Sequence, residues 1–468
     1  MNILFINPVT PPGIFPVQMS MGVAYISAVL KKAGHSTKLV MPYAFSEKQV
    51  SGKIDEFRPE LVLVSSVTDQ IGLAEKIINF VYDKYQLPII LGGTHAIVAP
   101  EESINIKGLL GICIGEGEEA ALELADAMEQ KKDYSKIRNL WLKTGNKTIK
   151  NPLRQLIQDL DKLPFPDREI FEEIDTKDEL EFMGSRGCPF QCSYCVNRAL
   201  RNAYKGCGTY VRIRSVDNLI AEIKQALKTY KTAKILFHDD TFTLDKKWLR
   251  EFCEKYPKEI GMPYAANGRV ETMDEEMVRM LKESGCVEIK IGVETGNEEL
   301  RTKILNRHMS NEQIINVFNL CKKHKLAATS FNMIGLPYET EKNVKETIAL
   351  NKKIKPLRMG VSIFRPYPGT ELYNVCKKNS WISPRKVSSY FEDVSILDMP
   401  QLPAKKIHYY HKIFKLAVYH PISALFVNVL IKTGLYPSVG WLFKSAKNIA
   451  VKVLSRKQKD FLQRVMKI

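Results

Sequence analysis

Cys188, Cys192 and Cys195 lie in the run Gly-Ser-Arg-Gly-Cys-Pro-Phe-Gln-Cys-Ser-Tyr-Cys-Val-Asn, a CxxxCxxC spacing. Three thiolates on one short loop hold three irons of a cubane 4Fe–4S cluster and leave the fourth iron open. An iron with a free position binds a substrate or cosubstrate directly, which a fully ligated electron carrier does not. A zinc site wants a fourth ligand and paired CxxC knuckles, and the sequence carries no second pair. Buried structural cysteines are the alternative. The spacing, and Gly187 and Pro189 flanking the first cysteine as in a turn, favour the cluster. The other six cysteines (Cys113, Cys207, Cys253, Cys286, Cys321, Cys376) are scattered, as suits a reducing compartment.

The cysteine loop resembles the signature of the radical S-adenosylmethionine (SAM) superfamily, with Tyr194 at the aromatic position before the last cysteine. The resemblance implies that SAM chelates the open iron through its amino and carboxylate groups. An electron from the cluster then splits it to methionine and a 5′-deoxyadenosyl radical able to take hydrogen from unactivated carbon.

Elements that position such a loop are legible on both sides of it. Residues 1 to about 150 alternate strand and helix signals: strands at Ile3–Asn7, Lys38–Met41, Leu61–Ser65 and Pro88–Leu91, helices at Gly22–Ala33 and Ile71–Tyr85. This predicts a doubly wound, Rossmann-like parallel sheet whose ligands bind beyond the carboxyl ends of its strands. Two loops stand at such ends, Gly92-Gly93-Thr94-His95 and, after Gly111–Ile114, Gly115-Glu116-Gly117-Glu118. Glycine there lets backbone approach a flat or phosphorylated ligand. In this order the two loops, with Pro8, Met19–Gly22 and Ser65–Thr68, resemble the cobalamin-binding domain fused ahead of many radical SAM barrels. The resemblance makes both tetrads candidate cobalamin contacts. It departs from other cobalamin proteins in lacking a DxHxxG loop, so a corrinoid without a protein imidazole ligand is expected. His95 is either a cofactor contact or a loop histidine bonded to backbone.

Pro164-Phe165-Pro166 is a stiff turn that opens a second region, 165–385. Strands are expected at Leu180–Ser185, Lys234–Asp239, Pro263–Arg269, Val287–Val293, Ala327–Ile334 and Met359–Arg365. Helices are expected at Val216–Tyr230, Asp274–Ser284, Asn311–His324 and Lys342–Ile354. Six such units fit a partial (β/α)6 barrel with its active residues at the C-terminal strand ends. The resemblance places SAM contacts there: Asp239 and Asp240 near the amino group, Arg269 and Glu294 at the carboxylate and ribose, Gly335 and Pro366 on the adenine side. Arg269 or Glu294 could instead form structural ion pairs.

The 468 residues carry a net charge of +17, which by itself fits nucleic acid, anionic lipid or a phosphorylated cosubstrate. The opening residues do not read as a signal peptide, so a cytoplasmic location is expected. Residues 386–468 read as a basic helical extension whose apolar runs break at Lys432 and Pro437, too soon for a membrane span. It either docks on the barrel or lies on anionic lipid through Trp441 and Phe443.

The resemblance implies an enzyme that methylates an unactivated carbon of a small-molecule or lipid-like substrate, served by a donor such as flavodoxin or ferredoxin. Cobalamin-dependent ring closure or rearrangement is the alternative. A tRNA methylthiotransferase is more remote, because that family carries a second cysteine trio where this chain has only Cys113, so no nucleic-acid partner is expected. A non-catalytic corrinoid module would leave the cysteine loop without a purpose.

Overall fold

The computed structural model of the chain describes residues 1–9, 17–385 and 394–420. These form two compact units, the first comprising Met1–Tyr264 and Pro366–Val375, the second Ala265–Arg365, Cys376–Arg385 and 394–420.

The first unit opens with β1 (Asn2–Ile6), α1 (Met21–Lys32), β2 (Ser36–Val40), α2 (Glu47–Phe57), β3 (Leu61–Ser65), α3 (Ile71–Tyr85) and β4 (Ile89–Gly92). It continues with α4 (Thr94–Val98), α5 (Pro100–Ile104), β5 (Gly111–Cys113), α6 (Glu118–Glu129), β6 (Leu140–Thr144) and β7 (Lys147–Lys150). The sheet order is β2-β1-β3-β4-β5-β6-β7. Its first five strands are parallel, and β6 and β7 are added antiparallel. Strands covered on both faces read as unbroken apolar runs, and Ile3, Leu4, Phe5 and Ile6 of β1 are at most 2% exposed. Strand order reverses between β1 and β3, and that reversal opens a crevice at their carboxyl ends.

The β6–β7 hairpin and α2 were not expected. The hairpin turns at Gly145, whose φ of +57° suits glycine, and Leu140 and Leu142 face inward while Lys150 lies over the Trp141 ring.

Farther along the first unit come β8 (Leu180–Phe182), β9 (Ser185–Arg186), α7 (Val196–Ala203), β10 (Arg212–Ile213), α8 (Val216–Thr229), β11 (Ile235–Phe237) and α9 (Lys246–Glu259). β8 and β11 pair in parallel, and β9 pairs antiparallel with β10. Phe237, Phe242, Trp248, Phe252, Tyr256 and Tyr264 form one aromatic cluster that seats α9 on β11. A buried ionic triad holds α8 to the first domain. Arg168 donates to Glu222 Oε1 at 2.6 Å, Arg214 binds the same carboxylate, and Arg214 also reaches Tyr25 Oη of α1 at 3.4 Å.

The second unit holds β12 (Tyr264–Gly268), α10 (Glu275–Glu283), β13 (Cys286–Glu294), α11 (Asn311–Lys323), β14 (Ala327–Ile334), α12 (Glu341–Ile354) and β15 (Arg358–Ile363). After them come α13 (Glu371–Lys378), which starts in the first unit, and α14 (Ala404–Tyr419). Strands β12 to β15 neighbour one another in chain order, and β13, β14 and β15 pair in parallel. With β8 and β11 these account for the six expected barrel strands. Ser310 with Gln313, and Thr340 with Asn343, form capping boxes that start α11 and α12. The start of the C-terminal extension is α14, which packs on α12 and β15 through Tyr410–Glu341 (2.7 Å) and His411–Val361 (3.1 Å). The remaining extension, with Trp441 and Phe443, lies outside the described residues. Among the described residues no helix is long and apolar enough to cross a membrane.

The turn between β14 and α12 is tied by Glu339, fully buried, whose Oε2 accepts the N–H groups of Gly335 (2.6 Å) and Leu336 (3.2 Å). Its Oε1 has no partner. Burial raises the carboxyl from 4.5 to about 8 despite those two bonds. The folded chain therefore retains this proton where the unfolded chain releases it, and the associated stability is present below pH 4.5 and lost as pH rises through about 8. In Glu339→Gln that loss should vanish, so the melting temperature of the native chain relative to the variant should fall between pH 5 and pH 8. A constant difference across that interval would contradict it.

Candidate active site

A cavity of about 260 Å³ opens at the strand-order reversal of the first unit. Both glycine loops line it through Gly92, Gly93, Thr94 and Gly115 to Glu118, and Phe5, Ile90, Leu124 and Leu140 line its apolar depth. Gly22 and Gly92 face it with room to spare: a Cβ at Gly22 would meet nothing within 4 Å, and at Gly92 nothing closer than 3.8 Å. The other glycines answer to the protein's own packing. A Cβ at Gly93 (φ +89°) would lie 2.6 Å from the Ser66 carbonyl oxygen, at Gly115 2.6 Å from Asn139 Nδ2, and at Gly117 2.7 Å from Ile26 Cδ1.

Among the described residues no histidine lines the cavity. His95 is 1% exposed, its Nδ1 is 3.1 Å from Thr68 Oγ1, and its buried Nε2 has no partner. Burial holds its pKa below the ordinary histidine range.

The far wall of the cavity comes from the cysteine region, through Met183 and Arg186 before Cys188 and through Leu200 and Tyr204 after Cys195. Arg186 is the joint. Its guanidinium donates to Glu116 Oε1 at 2.9 Å and Glu118 Oε1 at 2.6 Å and lies 4.8 Å from the centre of the Tyr25 ring. Arg212, paired with Arg186 across β9–β10, binds both oxygens of Glu116 at 2.9 and 3.0 Å. Glu116 also accepts the Ile157 N–H. Burial alone would raise the Glu116 carboxyl, but Arg186 and Arg212 outweigh it and hold the group below its usual range. Both acids of the second glycine loop are thus committed to arginines. The sequence reading named the acids and missed Arg186, Arg212 and Asn139, whose amide donates to the Glu116 carbonyl at 2.8 Å.

Cys188 and Cys192 are buried and Cys195 half-buried at the start of α7, with Tyr194 between the last two. Burial pushes the Cys195 thiol up to about 12, with Cys192, Asp240 and Cys188 adding to the shift. Three sulfurs whose anionic forms oppose one another in a dry loop suit a cationic iron core that neutralises them. Asp239 braces this loop: its Oδ2 accepts the Gly184 N–H at 3.0 Å, and Ser185 Oγ donates to Oδ1. Burial raises the carboxyls of both Asp239 and Asp240. Pro366 precedes Tyr367, whose hydroxyl reaches Asp69 Oδ2 at 3.1 Å beyond the end of β3.

In the second unit, Arg269 is buried and donates to Glu271 Oε1 at 2.5 Å. Glu294 ends β13 at a bulge with φ +64°, a conformation rarely adopted by a side-chain-bearing residue, and lies 3.4 Å from Arg307 Nη1. Both candidates therefore take part in ion pairs. Gly335, at φ +80°, donates to Glu339.

Comparison with known proteins agrees with this geometry. Residues 17–125 match the B12 binding domain, and residues 183–350 match the radical SAM superfamily. The chain is 28% identical over 393 residues to an uncharacterised methyltransferase of Pyrococcus horikoshii, covering 81% of this chain and 84% of the relative. It is 25% identical over 394 residues to the anaerobic magnesium-protoporphyrin IX monomethyl ester cyclase of Rubrivivax gelatinosus, covering 80% and 69%. The structure of the radical SAM methyltransferase TsrM from Kitasatospora setae, with cobalamin and a [4Fe-4S] cluster bound, aligns with a TM-score of 0.66 at 17% identity, covering 82% of this chain and 79% of that one. That last likeness is one of fold.

Two substitutions test how the cavity is built. Arg186→Met leaves Glu118 without its arginine and Glu116 with Arg212 alone, and should cost about 3 kcal/mol. Gly93→Ala should cost about 2 kcal/mol through its positive φ and the Ser66 contact. Urea unfolding of the full chain measures both. A loss below 0.5 kcal/mol, the usual range of a surface substitution, would mean the joint is not structural.

Proposed function

We propose that this chain, which belongs to the radical SAM superfamily and carries a B12 binding domain ahead of its barrel strands, methylates an unactivated carbon of a small-molecule or lipid-like substrate. The observation that carries the reading is the cavity walled at once by both glycine loops and by residues flanking Cys188, Cys192 and Cys195 on either side. Two cofactors that must act on one substrate need such a common, water-poor setting. When bound, the 4Fe–4S cluster supplies the electron that cleaves SAM, and cobalamin carries the methyl group.

The chain's own residues bind, orient and exclude water. Cys188, Cys192 and Cys195 would hold the irons, and Asp239 keeps their loop in place through Gly184 and Ser185. Gly92, Gly93, Thr94 and Gly115 to Glu118 would hold the corrinoid. These loops line the cavity of about 260 Å³ that would receive part of the corrinoid. Arg186 fixes the second glycine loop to the strand that leads into the cysteines. Tyr194, Asp240, Arg269, Glu294, Gly335 and Pro366 are assigned to SAM. His95, turned to Thr68, is a brace for its loop rather than a ligand.

The proposal includes a cobalamin domain over 1–150, a barrel over 165–385 and a basic extension over 386–468. It further includes a flavodoxin or ferredoxin as donor, no nucleic-acid partner, a cytoplasmic location and peripheral membrane contact through the extension.

Anaerobic reconstitution with iron, sulfide and cobalamin, followed by product analysis, tests the reaction. A methylated product together with S-adenosylhomocysteine and 5′-deoxyadenosine is expected. Deoxyadenosine without S-adenosylhomocysteine would replace methyl transfer with rearrangement or with ring closure, the latter the chemistry named in the cyclase relative. Replacing Cys188, Cys192 and Cys195 together by alanine should abolish cluster absorbance and SAM cleavage while leaving corrinoid uptake. A cluster retained at full occupancy would refute the ligand assignment.

A further inference from the structure

In the second unit, helices α10, α11 and α12 finish at the end where β13, β14 and β15 begin, because every strand of a parallel set is entered from the same side. The hydrogen bond from the Leu357 N–H to the Ala328 carbonyl, 3.0 Å long, marks that end. Six lysines stand there: Lys282 closing α10, Lys322 and Lys325 closing α11, and Lys352, Lys353 and Lys355 closing α12. All six are exposed, and none has a hydrogen-bond or ion-pair partner among the described residues. Glu275, Glu283 and Glu288, the acids these segments carry, are engaged by Lys323 and His324, by Arg279, and by Thr329 and Arg358.

A lysine in the last turn of a helix offsets the helix dipole, which accounts singly for Lys282, Lys322, Lys352 and Lys353. Lys325 and Lys355 lie beyond their helices at φ +56° and +47°, where glycine is the unstrained choice, so the dipole does not explain them. Nor does it explain the apolar side chains among the charges. Leu357 is 51% exposed just ahead of β15, and Val287 is 39% exposed at the start of β13.

Helix α14 leads to the same end. It runs from Tyr410, bonded to Glu341 at the start of α12, to Tyr419, whose hydroxyl donates to the Pro356 carbonyl at 3.1 Å after α12 has finished. Residues 421–468 follow from there. Their sequence holds the apolar run Ala424–Ile431, interrupted only by Asn428, and nine lysines and arginines against one acid, Asp460. Cations interleaved with apolar groups suit a surface that is anionic outside and apolar just beneath, which is a phospholipid bilayer. A nucleic acid would use the charge and leave Leu357 and Val287 in water.

We infer that the strand-amino end of β13–β15 rests on an anionic phospholipid surface. The six lysines meet headgroup phosphates, Leu357 and Val287 reach the acyl boundary, and residues 421–468 leave α14 at the same surface. The inference rests on the reading of a peripheral membrane contact, to which it gives a face of the folded chain, and it is independent of methyl transfer. Glu294 and Gly335 stand at the opposite ends of their strands, so this face places the protein without presenting its substrate.

Cosedimentation of the anaerobically reconstituted full-length chain with vesicles tests it. Vesicles of phosphatidylcholine with roughly a third phosphatidylglycerol should bind at least about tenfold tighter than phosphatidylcholine alone, and high salt should weaken them. Each lysine near such a surface is worth about fivefold. Replacing Lys325, Lys352, Lys353 and Lys355 together by glutamine should therefore weaken binding at least about a hundredfold. The same replacement at Lys48, Lys131, Lys132 and Lys147, exposed lysines of the first unit, removes equal charge and should leave binding within about threefold. Leu357→Ser should weaken vesicle binding about fivefold. Equal loss in the two four-lysine variants would overturn the inference in favour of net charge. An anionic preference that survives loss of the second-unit lysines would assign the contact to residues 421–468 and overturn this face alone. No anionic preference in the native chain would remove the peripheral contact as well. Tighter binding of an RNA oligonucleotide through the same lysines, indifferent to Leu357→Ser, would replace the bilayer with nucleic acid. Product formation without vesicles reports on methyl transfer separately.

Discussion

A buried charge has to be answered by another, and the candidate site of the first unit is arranged around that demand. Arg186 has two carboxylates within 2.9 Å, and one of them, Glu116, has a second arginine. Removing such charges from water costs several kcal/mol each, so the set persists only while every member is paired. That requirement fixes the loop 115–118 in space and fixes the strand two residues ahead of Cys188. The cavity wall and the cysteine loop cannot be placed independently.

Neighbouring elements follow from the same economy of fixed positions. Gly22 and Gly92 border the open cavity, whereas Gly93, Gly115 and Gly117 let the loops fold tightly against Ser66, Asn139 and Ile26. Glycine in one short loop thus has two different physical reasons. Asp239 applies a similar logic at the other side of the cysteines, converting a carboxylate that burial disfavours into an acceptor for backbone and hydroxyl.

Much of this was legible in the sequence, for a definite reason. Leu61–Ser65, Ile71–Tyr85 and Ala327–Ile334 have the bounds expected from their periodicity, because parallel strands and amphipathic helices write their burial locally. The CxxxCxxC loop and the glycine tetrads are equally local. Long-range pairing is not. Glu116 meets Arg212 across 96 residues, and nothing near either residue announces the other. Helix α2, with its polar surface, and the β6–β7 hairpin, set in a polar stretch, also left no strong period. For His95 the sequence left a cofactor contact and a loop histidine both open, and its 3.1 Å approach to Thr68, 27 residues away, is not announced locally.

Helix α1 has a consequence for how the chain comes to be made. Ser27 bonds Asp167, 140 residues later, and Tyr25 meets Arg214, 189 residues later. During synthesis the polar side of this helix must wait for most of the first unit to leave the ribosome. The amino-terminal sheet alone therefore lacks the far wall and the anchors of its own cavity. Completion of this cavity therefore depends on residues as far along the chain as Glu222, which must be translated before its far wall and anchors are in place.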